Sequence, residues 1–194
     1  RQAIKIEPDH AEAYNNMGNI FSGKGESDFA IESYKQALKI NPEYADAYSN
    51  LGLALKYRGD LDEAIDNFKQ ALKIKPDYAE TYNNMGVALK EKGELDAAID
   101  SYKQALKIKP DYAEAYSNMG NALQDKGNLD AAIGSHKQAL KIKPDYAEVY
   151  SNLGNALKEK GELDEAIDNF KQAIKIKPDY AEAYNNMGLS LNYK

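Results

Sequence analysis

Cysteine and tryptophan are absent from the 194 residues, and histidine occurs twice. Without cysteine there is no disulfide, no thiolate zinc site and no cysteine nucleophile, and the redox compartment stays undecided. Long apolar runs are missing as well. No stretch approaches the ~18 residues a membrane-spanning helix needs, so membrane insertion is excluded. Basic residues do not cluster: 25 Lys+Arg stand against 31 Asp+Glu, a formal charge of −6. That balance is the wrong sign for gripping a phosphate backbone, and nucleic acid is excluded as a partner. No secretory signal is visible, which leaves the cytoplasm as the default setting. The chain begins at Arg1 in mid-pattern and reads as an excerpt of something longer.

Proline is scarce but ordered. Pro8, Pro42, Pro76, Pro110, Pro144 and Pro178 lie 34 residues apart. A fixed period of that length signals stacked units, each burying an apolar face on its neighbours instead of in one central core. Within a unit, Tyr48, Leu51, Gly52 and Leu55 recur at helical spacing, and Ala64, Ile65, Phe68, Ala71 and Leu72 draw a second helical stripe. Gly59 separates the two, with Gly25, Gly93, Gly127 and Gly161 at the same register. A helix stops there and the chain turns through positive φ. Asp60 with Glu63 predicts a capping box opening the second helix. Asp77 with Glu80, Asp111 with Glu114, Asp145 with Glu148 and Asp179 with Glu182 predict boxes for the first helices that follow. Connections of a few residues force neighbours antiparallel. The expected fold is therefore all-α, a solenoid of helix-turn-helix hairpins.

These columns resemble the tetratricopeptide repeat (TPR) family: an aromatic, two residues, Leu-Gly, then Ala, three residues, an aromatic, and a later proline. The first aromatic is Tyr14, Tyr48, Tyr82, Tyr116, Tyr150 and Tyr184, where the family usually has tryptophan. The glycine is Gly18, Gly52, Gly86, Gly120, Gly154 and Gly188. The second helix supplies Ala30, Ala64, Ala98, Ala132 and Ala166, then Tyr34, Phe68, Tyr102, His136 and Phe170. The resemblance covers the whole chain and implies a right-handed superhelical array of antiparallel hairpins. Its expected units are 11–44, 45–78, 79–112, 113–146 and 147–180, with 1–10 ending a preceding repeat and 181–194 forming a lone first helix. Both end faces would expose apolar surface, so head-to-tail self-association is expected.

Outside the core stripe one column never varies: Asn16, Asn50, Asn84, Asn118, Asn152 and Asn186. A carboxamide carries a donor and an acceptor and can pair with a foreign peptide bond without reading its side chains. Helices pack ~8–10 Å apart while an extended chain advances ~3.3 Å per residue. Such a row could hold a peptide every few residues, with Asn15, Asn83, Asn121, Asn155 and Asn185 expected as flanking contacts. Asparagine there can equally bond a neighbouring helix or face water. The column resembles the asparagine ladder of the TPR region of protein O-linked N-acetylglucosamine transferases, which implies recruitment of protein substrates to a separate catalytic domain.

The acids Glu12, Asp46, Glu80, Glu114, Glu148 and Glu182 are explained as first-turn and capping residues. Lys/Arg clamps for acidic chaperone tails are not expected, since the matching columns hold Glu/Asp, Asn/Ser and Asn. No catalytic residue, metal site or cofactor is expected. His10 and His136 stand in aromatic columns, and the carboxylates recur in register with the caps, leaving no isolated acid pair. Gly134, expected to cost ~1 kcal/mol in mid-helix, joins His136 to make the fourth repeat the expected weak point. The favoured function is a non-enzymatic scaffold binding an extended peptide or protein. The alternatives are the recruiting region of a larger enzyme such as a glycosyltransferase, and a purely architectural, self-associating array.

Overall fold

The computed structural model describes residues 10–193, which form eleven helices and no strand. They are α1 (Ala11–Gly23), α2 (Ser27–Ile40), α3 (Ala45–Arg58), α4 (Leu61–Ile74), α5 (Ala79–Glu91), α6 (Leu95–Ile108), α7 (Ala113–Asp125), α8 (Leu129–Ile142), α9 (Ala147–Lys160), α10 (Leu163–Ile176) and α11 (Ala181–Asn192). The segment 1–9, expected to close a preceding second helix, lies outside the described residues, as does Lys194. No helix among the described residues is long and apolar enough to cross a membrane.

Two compact units divide the chain, Arg1–Glu94 and Leu95–Lys194, and the division falls between α5 and α6. In the first unit α1 packs on α2 and α3 on α4, while α2–α3 and α4–α5 contacts join the pairs. In the second, α7 packs on α8 and α9 on α10, joined by α6–α7, α8–α9 and α10–α11 contacts. First helices also touch their successors, α1 with α3 and α3 with α5, then α7 with α9 and α9 with α11. Each unit therefore presents a wall of first helices backed by second helices.

The turn glycines behave as their spacing predicts. Gly25, Gly59, Gly93, Gly127 and Gly161 all have positive φ, between 75° and 95°, a conformation in which a Cβ would be strained. The other glycine column answers a different demand. The rings of Tyr34, Phe68, His136 and Phe170 are buried, and each lies directly over a first-helix glycine. A Cβ on Gly18 would meet the Tyr34 ring at 2.4 Å, on Gly52 the Phe68 ring at 2.8 Å, on Gly120 the imidazole of His136 at 2.5 Å, and on Gly154 the Phe170 ring at 2.7 Å. The column is glycine because the ring needs the space. Beside the rings, Ala30, Ala64, Ala98, Ala132 and Ala166 are fully buried, letting the paired helices approach closely.

The capping boxes do not form. The N-cap residues of α3, α5, α7, α9 and α11 are Tyr44, Tyr78, Tyr112, Tyr146 and Tyr180, with no side-chain cap bond. The aspartates expected to cap sit one residue too early. Asp60 is the N-cap of α4 but makes no side-chain cap bond either; its carboxylate accepts from Arg58 Nε instead. Lys92 engages Glu94 at 2.7 Å and Asp62 at 2.6 Å, and Lys160 engages Glu162 at 2.7 Å and Asp130 at 2.8 Å. Arg58 likewise reaches Asp28 at 3.3 Å. The acids at the head of the second helix thus join a row of cations linking one hairpin to the next. Asn128, which replaces the acid in the fourth hairpin, does cap its helix, accepting from Ala131 N–H at 3.4 Å.

Candidate functional site

In each unit the wall of first helices carries one asparagine of the invariant column per helix. In the first unit α1, α3 and α5 supply Asn16, Asn50 and Asn84; in the second α7, α9 and α11 supply Asn118, Asn152 and Asn186. Asn16 is exposed and the other five are half-buried. Five of the six are thus partly covered by their surroundings. Asn50 shows how: its Nδ2 donates to Asn15 Oδ1 at 3.0 Å, which orients the amide plane across the α1–α3 seam.

The flanking asparagines divide. Asn15 and Asn83 are 5% and 1% exposed, which leaves a ligand no surface to touch. Their expected role as flanking contacts is corrected to a seam role. They belong to a column whose other members Ser49, Ser117 and Ser151 are buried too. The Ser49 and Thr81 hydroxyls bond at 2.8 Å across α3 and α5. Asn185, at the same register in α11, is exposed. Asn121 and Asn155 are half-buried, and Asn155 Oδ1 is buried without a hydrogen-bond partner. The equivalent Asn19 Oδ1 accepts from the Tyr34 hydroxyl at 2.8 Å; Phe170 has no hydroxyl to offer Asn155.

Two cross-links along the wall escaped the sequence reading. Lys56 Nζ lies 3.6 Å from Glu91 Oε1, joining α3 to α5, and Gln124 Nε2 donates to Glu159 Oε1 at 2.5 Å, joining α7 to α9. The signal was present, since both pairs are complementary side chains 35 residues apart, one repeat plus one residue.

Beside the asparagines runs a strip of phenols and acids. Burial pushes the Tyr78 phenol up to about 12, and the Asp46 and Glu80 carboxylates add to the shift. Tyr44 is raised by burial and then by Asp46 and Glu12, and Tyr146 by burial and then by Glu114 and Glu148. Each phenol thus sits between the acids of two successive hairpins and stays protonated at neutral pH, able to donate. Lysine ammonium groups cover the rings, Lys75 at 4.2 Å from the Tyr78 centroid and Lys143 at 4.3 Å from that of Tyr146. Lys177 covers Tyr180 at 4.9 Å and approaches Glu148 at 3.8 Å.

The two histidines sit in opposite settings. His136 is fully buried with both ring nitrogens unbonded, and burial lowers its pKa to about 4. It fills an aromatic slot as a neutral ring. His10 is exposed at the N-cap of α1. Among the described residues no group of three or more His, Asp or Glu side chains is arranged to hold a metal ion.

The family model of the C-terminal TPR domain of cilia and flagella-associated protein 70 matches residues 1–187. The chain belongs to that TPR family. Its fold is shared by MamA, 30% identical, with the match covering 90% of this chain and 96% of MamA at a TM-score of 0.77. YrrB, described as a TPR protein with an unusual peptide-binding site, is 25% identical over 95% of each chain, with a TM-score of 0.75. A thermophilic TPR protein of Thermus thermophilus is 26% identical over 94% of this chain and 99% of its own, with a TM-score of 0.72. None of the curated proteins compared by sequence matches significantly. The family model and the two solved structures described as TPR proteins support a TPR interaction-scaffold fold for this chain.

Proposed function

We propose that this TPR chain is a non-enzymatic scaffold that holds an extended peptide or protein segment against its walls of first helices. The row asparagines Asn16, Asn50, Asn84, Asn118, Asn152 and Asn186 would pair with the peptide backbone, and Asn121, Asn155 and Asn185 would flank them. The observation that carries the reading is that every first helix offers one asparagine, half-buried in five of six cases. A side chain so placed has lost part of its rotamer freedom before the ligand arrives. The peptide-binding description of YrrB supports the same class of ligand. Substrate recruitment for a larger enzyme, such as a protein glycosyltransferase, is the second reading, and it rests on the same asparagine column.

The test is selection of binders from a random peptide library, followed by titration of a selected peptide against Asn84, Asn152 and Asn186 all replaced by alanine. At ~0.5–1.5 kcal/mol per hydrogen bond, the triple variant should bind at least about tenfold more weakly with its melting temperature unchanged. Asn50 is left alone because its loss would strip a partner from buried Asn15. Retained affinity with a fall in melting temperature would assign the row to structure instead.

A further inference from the structure

Within the units, α3 packs between α2 and α4, α7 between α6 and α8, and α9 between α8 and α10. Each of these first helices floors a cleft between two second helices. In two of the clefts, carboxylates of the later second helix close the opening. Lys35 of α2 reaches Glu63 of α4 at 3.4 Å, and Lys137 of α8 reaches Glu165 of α10 at 3.9 Å. A cation at the end of the floor helix adds a second closure: Arg58 holds Asp28 and Asp60, and Lys160 holds Asp130 and Glu162. The cleft between α6 and α8 has neither in full. Ala131 occupies the register of Glu63 and Glu165, and Lys103 turns back to Asp100 of its own helix at 3.2 Å. Asn128 occupies the register of Asp60 and Glu162, and its carboxamide caps α8. Lys126 is left with one carboxylate, Asp96, where Lys160 has two. The result is a cleft of about 450 Å³, within the size range of small-molecule sites. Ile99, Met119 and Leu123 line its interior, with Lys103 and Lys126 among the residues at its rim. Leu123 is half-buried, whereas Leu55 and Leu157 at its register are fully buried.

We infer that this cleft binds a small amphiphilic monocarboxylate, an aliphatic chain of medium length bearing one carboxylate. An ammonium has three N–H donors, and both rim lysines lack the carboxylate that the later second helix supplies in the sister clefts. Acids outnumber bases around those clefts, but here Lys103 and Lys126 balance Asp96 and Asp100. A ligand carboxylate takes the place of the missing acid. Its chain takes the place of the missing cover, removing the surface of Met119 and Leu123 from water. The lining on α6 runs from Asp96 to Lys103, ~10 Å along the helix, which a medium-chain carboxylate spans. None of the row asparagines lines the cleft, so this site and the peptide row stand or fall separately.

The probe is sodium octanoate, titrated against the intact chain by calorimetry and by amide chemical shifts. It should bind one to one with a dissociation constant of about a millimolar or tighter, with shifts centred on α6, α7 and α8. Octanol, which lacks the charge, should bind at least about tenfold more weakly, and acetate, which lacks the chain, should not saturate. Ala131→Glu restores the residue found at this register in α4 and α10, so the fold is kept while Lys103 regains a partner across the cleft. Octanoate affinity should then fall about tenfold or more, with a melting temperature at or above that of the unaltered chain. Lys126→Gln should weaken octanoate and leave octanol unchanged. Absence of saturation, octanol binding as tightly as octanoate, or an affinity that neither substitution moves overturns the assignment. A library-selected peptide that Ala131→Glu releases and octanoate does not displace would give the cleft to a protein segment and overturn it equally.

Discussion

The same eight residues open α1 and α11 and meet two environments. In α1, Gly18 is buried under a tyrosine ring and Asn15 is buried in a seam with Asn50; in α11, Gly188 faces open space and Asn185 is exposed. Both stretches are helical, because each packs a face on neighbouring helices, α1 on α2 and α3 and α11 on α9 and α10, and such packing outweighs the weak propensity of asparagine and glycine. What differs is whether a helix lies over the face that carries the glycine. A glycine is a packing necessity in one helix and an unfilled slot in the other, and an asparagine is a structural bond in one and a surface amide in the other.

The severest break of that comparison uses the ring slots themselves. Over Gly120 the ring is His136, buried and unbonded, with its pKa lowered to about 4. The folded value lies below the ordinary value of 6.5, so the unfolded chain takes up the proton first. The stabilising neutral state is fully present above pH 6.5 and is lost as pH falls toward 4. That loss should approach about 3 kcal/mol in chemical denaturation, concentrated in the second unit. His136→Phe should flatten this part of the pH profile. An unchanged profile in the variant would mean the imidazole is not the group responsible.

Next comes Gly18→Ala against Gly188→Ala. The first drives a Cβ into the Tyr34 ring at 2.4 Å and should cost about 2 kcal/mol. The second meets nothing and should be neutral or stabilising by up to ~1 kcal/mol. Thermal melts of the two variants should move in opposite directions. The smallest contrast is Asn15→Ala against Asn185→Ala. Removing Asn15 takes the acceptor from Asn50 and should cost about 1 kcal/mol, visible as faster amide exchange at the α1–α3 seam. Removing exposed Asn185 should stay within ~0.5 kcal/mol.

Much of the molecule was legible because the repeat is itself a structural instruction. A 34-residue period, two helical stripes and a glycine between them specify hairpins whatever lies outside the chain. The core role of His136 was legible from its aromatic column. The caps were not. Asp77 and Glu80 have the spacing of a capping box, but the tyrosine between them becomes the N-cap, and Asp60, Glu94 and Glu162 form ion pairs with Arg58, Lys92 and Lys160. A spacing rule cannot tell which of two competing partners a carboxylate takes when the second arrives from the side. Gly134, expected to weaken the fourth hairpin, is exposed with nothing near its missing Cβ, so its cost is confined to helix propensity.

The asparagines show where sequence stops. The invariant column and its neighbour at the preceding position are both polar and both rich in asparagine, and on paper Asn15 and Asn16 are equally good ligands for a peptide. One residue of helix is a 100° rotation. That rotation points Asn15 into the seam with α3 and leaves Asn16 exposed. Sequence alone determined the helices, their pairing, the turns and the family, because these follow from local periodicity and repetition. Only the tertiary structure decided which polar side chains are mortar and which are surface, because that depends on whether a neighbouring helix lies over them.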